Sequence, residues 1–125
     1  MAAALLAAGC GAGGVASGGQ RPDMQNGQQL FTQNCAACHT LAAAGTNGTI
    51  GPNLDNAFAE DRKEGYADSA IENVVLDQIR LGSGPIATYT TNKKFTPQTQ
   101  MPANLVTGQD AIDVAAYVAS VAGTK

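Results

Sequence analysis

Apolar positions recur at helical spacing in three stretches of the chain. Leu30 and Phe31 face one way in a stretch with N-cap residues at its head, and the pattern predicts a helix from Asn26 to about Ala37, with Gln29 placed to assist the cap. Ser69-Ala70-Ile71-Glu72 reads as a capping box, and Ile71, Val74, Val75 and Ile79 then form a core-facing stripe that should stop at Gly82. Thr107-Gly108-Gln109-Asp110 opens a third helix, with Thr107 as cap and Val114, Tyr117, Val118 and Val121 as its apolar face.

The segments between these helices are polar or rich in turn residues. Thr40 to Gly51 reads as a loop whose apolar landmark is Ile50, followed by Pro52, which fixes the backbone. Leu54 and Phe58 read as pocket or core side chains. Ala59 to Asp68 mixes signs in Glu60, Asp61, Arg62, Lys63 and Glu64, the pattern of a solvated face. Gly82 to Gln100 is dominated by Gly, Pro, Thr and Asn, with a small hairpin expected over Thr88 to Thr96 and with Tyr89 and Phe95 as isolated aromatics.

The N-terminal region has a different character. MAAALLAAGC, residues 1–10, places small residues before Cys10, as at the end of a bacterial lipoprotein signal, so Cys10 is a candidate lipidation site. The position three before the Cys is Ala7 rather than Leu. The run also lacks a cationic start, so the signal is expected to begin upstream of Met1. It is far too short to span a bilayer. Residues 11–25 are a Gly/Ser-rich tether; a coil from Gly11 to Asn26 reaches roughly 20–25 Å. The folded domain is expected over 26–125.

Composition narrows the class. The chain has 125 residues and a formal charge of −3, which argues against nucleic acid as a partner. It is rich in Ala and has no Trp, so a domain of this size would have a thin core unless a cofactor supplied apolar volume.

The chemistry centres on Cys35-Ala36-Ala37-Cys38-His39. Two thiols at this spacing can each add across one haem vinyl group, and the adjoining imidazole can then serve as an axial ligand of the iron. A structural zinc site needs four Cys or His ligands, and this chain offers beyond the pentapeptide only Cys10. A thioredoxin-like pair needs a preceding strand, and a plain disulfide leaves His39 unexplained. A solitary His is more often a core or surface residue, but beside this pair we expect a ligand.

Gly51-Pro52-Asn53-Leu54 begins twelve residues after His39, and Met101-Pro102 precedes the last helix. With the pentapeptide and the final amphipathic helix, these motifs make the chain from about residue 24 onward resemble a class I c-type cytochrome. The resemblance implies an all-α fold of three main helices and loops around one covalent haem c, attached through Cys35 and Cys38. It implies His39 and Met101 as axial ligands, Met101 being favoured over Met24 by position. It implies that the Pro52 carbonyl accepts the proton on the far nitrogen of His39. It implies a close crossing of Gly27 and Phe31 with Val114 and Tyr117. Haem attachment of this kind implies an extracytoplasmic location in bacteria.

The expected activity is single-electron transfer between respiratory-chain proteins, with no catalysis and no small-molecule substrate, because two protein ligands fill the iron. The rivals are a haem peroxidase or small-ligand reductase and a gas sensor, both needing an open distal site, and an electron-entry domain of an oxidase or reductase complex, which shares the chemistry. Lys93-Lys94 is the one adjacent pair of lysines, so docking is expected through a small apolar patch with weak salt dependence.

Overall fold

The computed structural model describes residues 20–83 and 100–124. Cys10, the tether up to Gly19, the hairpin expected over Thr88 to Thr96, Tyr89, Phe95 and the Lys93-Lys94 pair lie outside the described residues. The elements are α1 (Met24–Asn34), a two-residue strand β1 (Thr40–Leu41), a 3-10 turn (Ala42–Ala44), β2 (Thr46–Asn47), α2 (Leu54–Ala57), α3 (Ala59–Lys63), α4 (Asp68–Leu81) and α5 (Gly108–Val121). No helix among the described residues is long and apolar enough to cross a membrane.

The apolar helix α5 is the centre of the fold, packed by α1 on one side and α4 on another. Its Ala111, Val114, Ala115, Tyr117 and Val118 are buried, together with Phe31 of α1 and Ile79 of α4. The α1–α5 crossing is close because Gly27 has no side chain. A Cβ there would lie 2.2 Å from the carbonyl oxygen of Asp113 and 2.8 Å from the Cβ of Tyr117. Phe31 and Tyr117 meet one turn further on with ring centroids 6.3 Å apart and planes tilted by 58°.

Helix α1 begins three residues earlier than the Asn26 cap predicts. Asp23 is the cap, its Oδ1 accepting from the backbone N–H groups of Gln25 and Asn26 at 3.0 Å each. The Asn26 side chain instead donates across the crossing, to Asp110 at 3.1 Å and to Asp113 at 2.8 Å. The helix also ends earlier, at Asn34, with Cys35 as C-cap.

Helix α4 departs from its expected start as well. Ala67 is the N-cap and makes no side-chain bond, so the Ser69–Glu72 capping box does not form and Ser69 lies inside the first turn. Asp68 supplies the negative charge at that end and pairs with Arg62. The helix stops at Gly82 as expected, with the Gly82 N–H bonded to the Gln78 carbonyl at 2.8 Å. Ile71 and Ile79 are buried, but Val74 is 56% exposed and is not a core residue. At about 100° per residue, Val74 falls roughly 100° or more from the centre of the face shared by Ile71, Val75 and Ile79. Thr107 is the N-cap of α5 by backbone, without a side-chain cap bond.

Arg62 overturns the reading of Ala59 to Asp68 as a purely solvated face. Its Nε donates to the Ala122 carbonyl at 3.1 Å, and its other nitrogens reach the Ala119 carbonyl and Asp68. A cation thus satisfies carbonyls that the last turn of α5 cannot bond internally.

Candidate haem-attachment site

The pentapeptide lies on a helix-like turn just after α1. The Cys35 carbonyl accepts from both the Cys38 N–H, at 3.1 Å, and the His39 N–H, at 3.0 Å. An i to i+4 bond of this kind keeps Cys35 and His39 on one side of the chain although α1 has already ended. The following residues form the small antiparallel ribbon, Thr40 opposite Asn47 and Leu41 opposite Thr46. Leu41 is fully buried, whereas Ile50, the expected landmark of this loop, is 55% exposed. The Thr46 hydroxyl donates to the His39 carbonyl at 2.9 Å and accepts from the Leu41 N–H at 3.0 Å.

Two groups orient the His39 ring. Its Nδ1 lies 2.8 Å from the carbonyl oxygen of Pro52. A carbonyl only accepts, so Nδ1 carries the proton and the lone pair of the neutral ring sits on Nε2. Gly51 lies against the ring: a Cβ there would come within 2.5 Å of Cε1 and 2.9 Å of both nitrogens. The Gly51 N–H in turn bonds the Cys38 carbonyl at 2.7 Å, fastening this loop to the thiol turn. Asn53 then caps α2, accepting from the Asp55 N–H at 2.9 Å, and α2 presents the half-buried Leu54.

Cys35 and Cys38 are free thiols, the first buried and the second half-buried. Burial, with the neighbouring Cys38, pushes the Cys35 thiol up to about 11. Cys35 therefore lacks the accessible, lowered-pKa thiol that an attacking redox cysteine needs. Leu30, Leu54, Phe58, Val75, Leu76 and Met101 are only partly buried and pack against the buried cluster that includes Cys35. Two unpaired thiols, an imidazole with Nε2 available and half-covered apolar side chains on the same core fit a covalently attached porphyrin.

Met101 is brought to the end of α4, where Ser83 holds its backbone. Met24, the alternative sulfur, is the first residue of α1 and is 41% exposed. Thr46, Gly51 and Ser83 escaped the sequence reading. The Gly-Pro turn was legible, but not the contact of Gly51 with an imidazole twelve residues before it.

The fold and the donor set define a protein that carries a covalently bound haem on an all-α frame. Residues 24–122 match the family model described as Cytochrome c, and the chain belongs to the cytochrome c family. A curated relative, the cytochrome c of Dictyostelium discoideum, is 37% identical over 103 residues, which cover 78% of this chain and 90% of the relative. The fold is that of a class I c-type cytochrome, and the cofactor is haem c, bound covalently through the pair Cys35 and Cys38. Haem-based electron transfer between redox proteins is the activity that membership brings.

Proposed function

We propose that this chain shuttles single electrons between respiratory-chain proteins outside the cytoplasm, with His39 and Met101 as the two axial ligands of its haem. The observation that carries the reading is the bond from His39 Nδ1 to the Pro52 carbonyl, which leaves Nε2 as the only basic ring nitrogen. Haem c, when bound, supplies the one-electron couple at its iron. The protein contributes position, polarity and exclusion of water. Pro52 and Gly51 fix the imidazole, and a hydrogen-bonded Nδ1–H makes Nε2 a stronger donor. Met101 offers a soft thioether, which favours the reduced state and raises the potential. Leu54, Phe58, Val75 and Leu76, partly buried on the core that includes Cys35, would supply apolar surroundings.

With the haem iron held by both His39 and Met101, no small molecule would bind readily, and the protein would be a carrier and not a catalyst. Reduced, fully matured holoprotein should bind carbon monoxide slowly and weakly; rapid binding would favour an enzyme or a gas sensor. The chain has a formal charge of −3, so partner contact runs through an apolar patch, with electron-transfer rates that change little with added salt. Lipidation at Cys10 would hold the domain at the membrane surface by a short tether; a Cys10→Ala chain that stays in the membrane fraction would remove that part of the reading.

A further inference from the structure

We propose that Ser83 is the positioning residue for Met101, a role that rests on Met101 being the distal ligand. The two residues stand eighteen positions apart in the chain. Yet among the described residues both backbone polar groups of Met101 are bonded by Ser83. The Ser83 N–H donates to the Met101 carbonyl at 2.8 Å, and the Ser83 Oγ accepts from the Met101 N–H at 2.8 Å. Two residues of an antiparallel pair exchange N–H···O bonds in this way, and here a hydroxyl oxygen stands in for the carbonyl of one partner. Ser, unlike Ala or Val at this position, brings that acceptor.

The surroundings make the clasp rigid. Pro102 confines Met101 to an extended backbone, the conformation in which the N–H and C=O of one residue address the same neighbour. Gly82 has a φ of +62°, and a Cβ on it would lie 2.5 Å from the Met101 carbonyl oxygen and 2.7 Å from the Ala103 nitrogen, so the ligand loop rests directly on the end of α4. The Gln78 side chain bonds the Gly82 carbonyl at 2.6 Å, and the Asn104 N–H bonds the Ile79 carbonyl at 2.7 Å. Asn104 sits in the left-handed region, φ 56°, which Asn tolerates better than most residues. The end of α4 is therefore tied to Met101 and to the chain just after it, and α4 is itself packed on α5. The Met101 backbone is thus held at the end of α4.

The test uses matured holoprotein and imidazole as a competitor for the distal position of the ferric form. In the wild type, the weak Met–Fe(III) charge-transfer band, absent from Met101→Ala, establishes the ligand; if the band is missing, the ligand reading fails and takes the positioning role with it. Given the band, Ser83→Ala should bind imidazole about fivefold more tightly, the equivalent of one ordinary hydrogen bond lost from the clasp. Ser83→Thr, which keeps the oxygen, should restore wild-type affinity. Ser69→Ala, an exposed change in the first turn of the same helix, should leave it unaltered. Unchanged imidazole affinity in Ser83→Ala would overturn the proposal while leaving Met101 a ligand, even if overall stability fell. Should Ser83→Ala fail to fold, amide exchange in the wild type decides: a protected Met101 N–H supports the clasp, and exchange at the rate of an open loop refutes it.

Discussion

Gly51 lies flat on the imidazole of His39, so close that a methyl group at its Cβ position would sit 2.5 Å from Cε1. The ring cannot yield without giving up its 2.8 Å bond to the Pro52 carbonyl. Gly51→Ala should therefore displace the imidazole itself and cost about 1–3 kcal/mol through overpacking. The expected readout is a lowered denaturation midpoint together with a high-spin fraction in the ferric absorption spectrum. A wild-type spectrum and midpoint would show that the contact is soft.

Asp113 makes the α1–α5 crossing sensitive to acid. Burial pushes its carboxyl upward, but donors from the Asn26 and Gln109 side chains and the Asp23 N–H outweigh that, and its pKa lies below the ordinary value. A depressed carboxylate stabilises the fold above the unfolded pKa of about 3.9 and loses that contribution as pH falls through the folded value. Holoprotein should show a stability that declines below pH ~4, with a shallower decline in Asp113→Asn. At neutral pH that variant should be about 1–3 kcal/mol less stable, because an amide cannot accept from all three donors. Parallel acid titrations of stability for the two proteins check the sign.

Arg62 fastens the last turn of α5 through backbone carbonyls, not mainly through its exposed ion pair with Asp68. Arg62→Ala should cost about 1–3 kcal/mol, whereas Asp68→Asn should cost at most ~1 kcal/mol. Thermal denaturation at low and high salt separates the two, since the carbonyl bonds are screened less than the surface pair.

The Tyr117 hydroxyl is buried and has no hydrogen-bond partner among the described residues, and burial raises its pKa. Tyr117→Phe keeps the ring against Phe31 and removes an unsatisfied group, so it should be neutral or stabilising by up to about 1–3 kcal/mol. A clear loss of stability would mean that the hydroxyl has a partner in the holoprotein.

What could be read from the sequence was local or periodic. Cys35, Cys38 and His39 carry their chemistry in their spacing, and Val114, Tyr117 and Val118 are buried as their helical period requires. Gly82 stops α4 because a left-handed residue ends a helix wherever it falls. The errors arose where a distant partner chose between locally equivalent options. Asp23 and Asn26 are both good caps, and Asn26 was diverted by carboxylates more than eighty residues away. Arg62 looked like a solvated charge until the end of α5 was placed beside it. Leu41, a lone apolar residue in a polar stretch, gave no periodic signal, yet the ribbon with Thr46 buries it completely. Ser83 had no signal at all, because its function lies in a pairing across eighteen positions.

The central claim is that the iron of a haem stitched to Cys35 and Cys38 is held by His39 and Met101. Proton NMR of the reduced holoprotein, made with methyl-labelled methionine, tests it most directly. The account predicts one methionine methyl shifted far upfield by the porphyrin ring current, abolished by Met101→Leu and untouched by Met24→Leu. A Met101 methyl at an ordinary shift, or an upfield methyl that belongs to Met24, would contradict it.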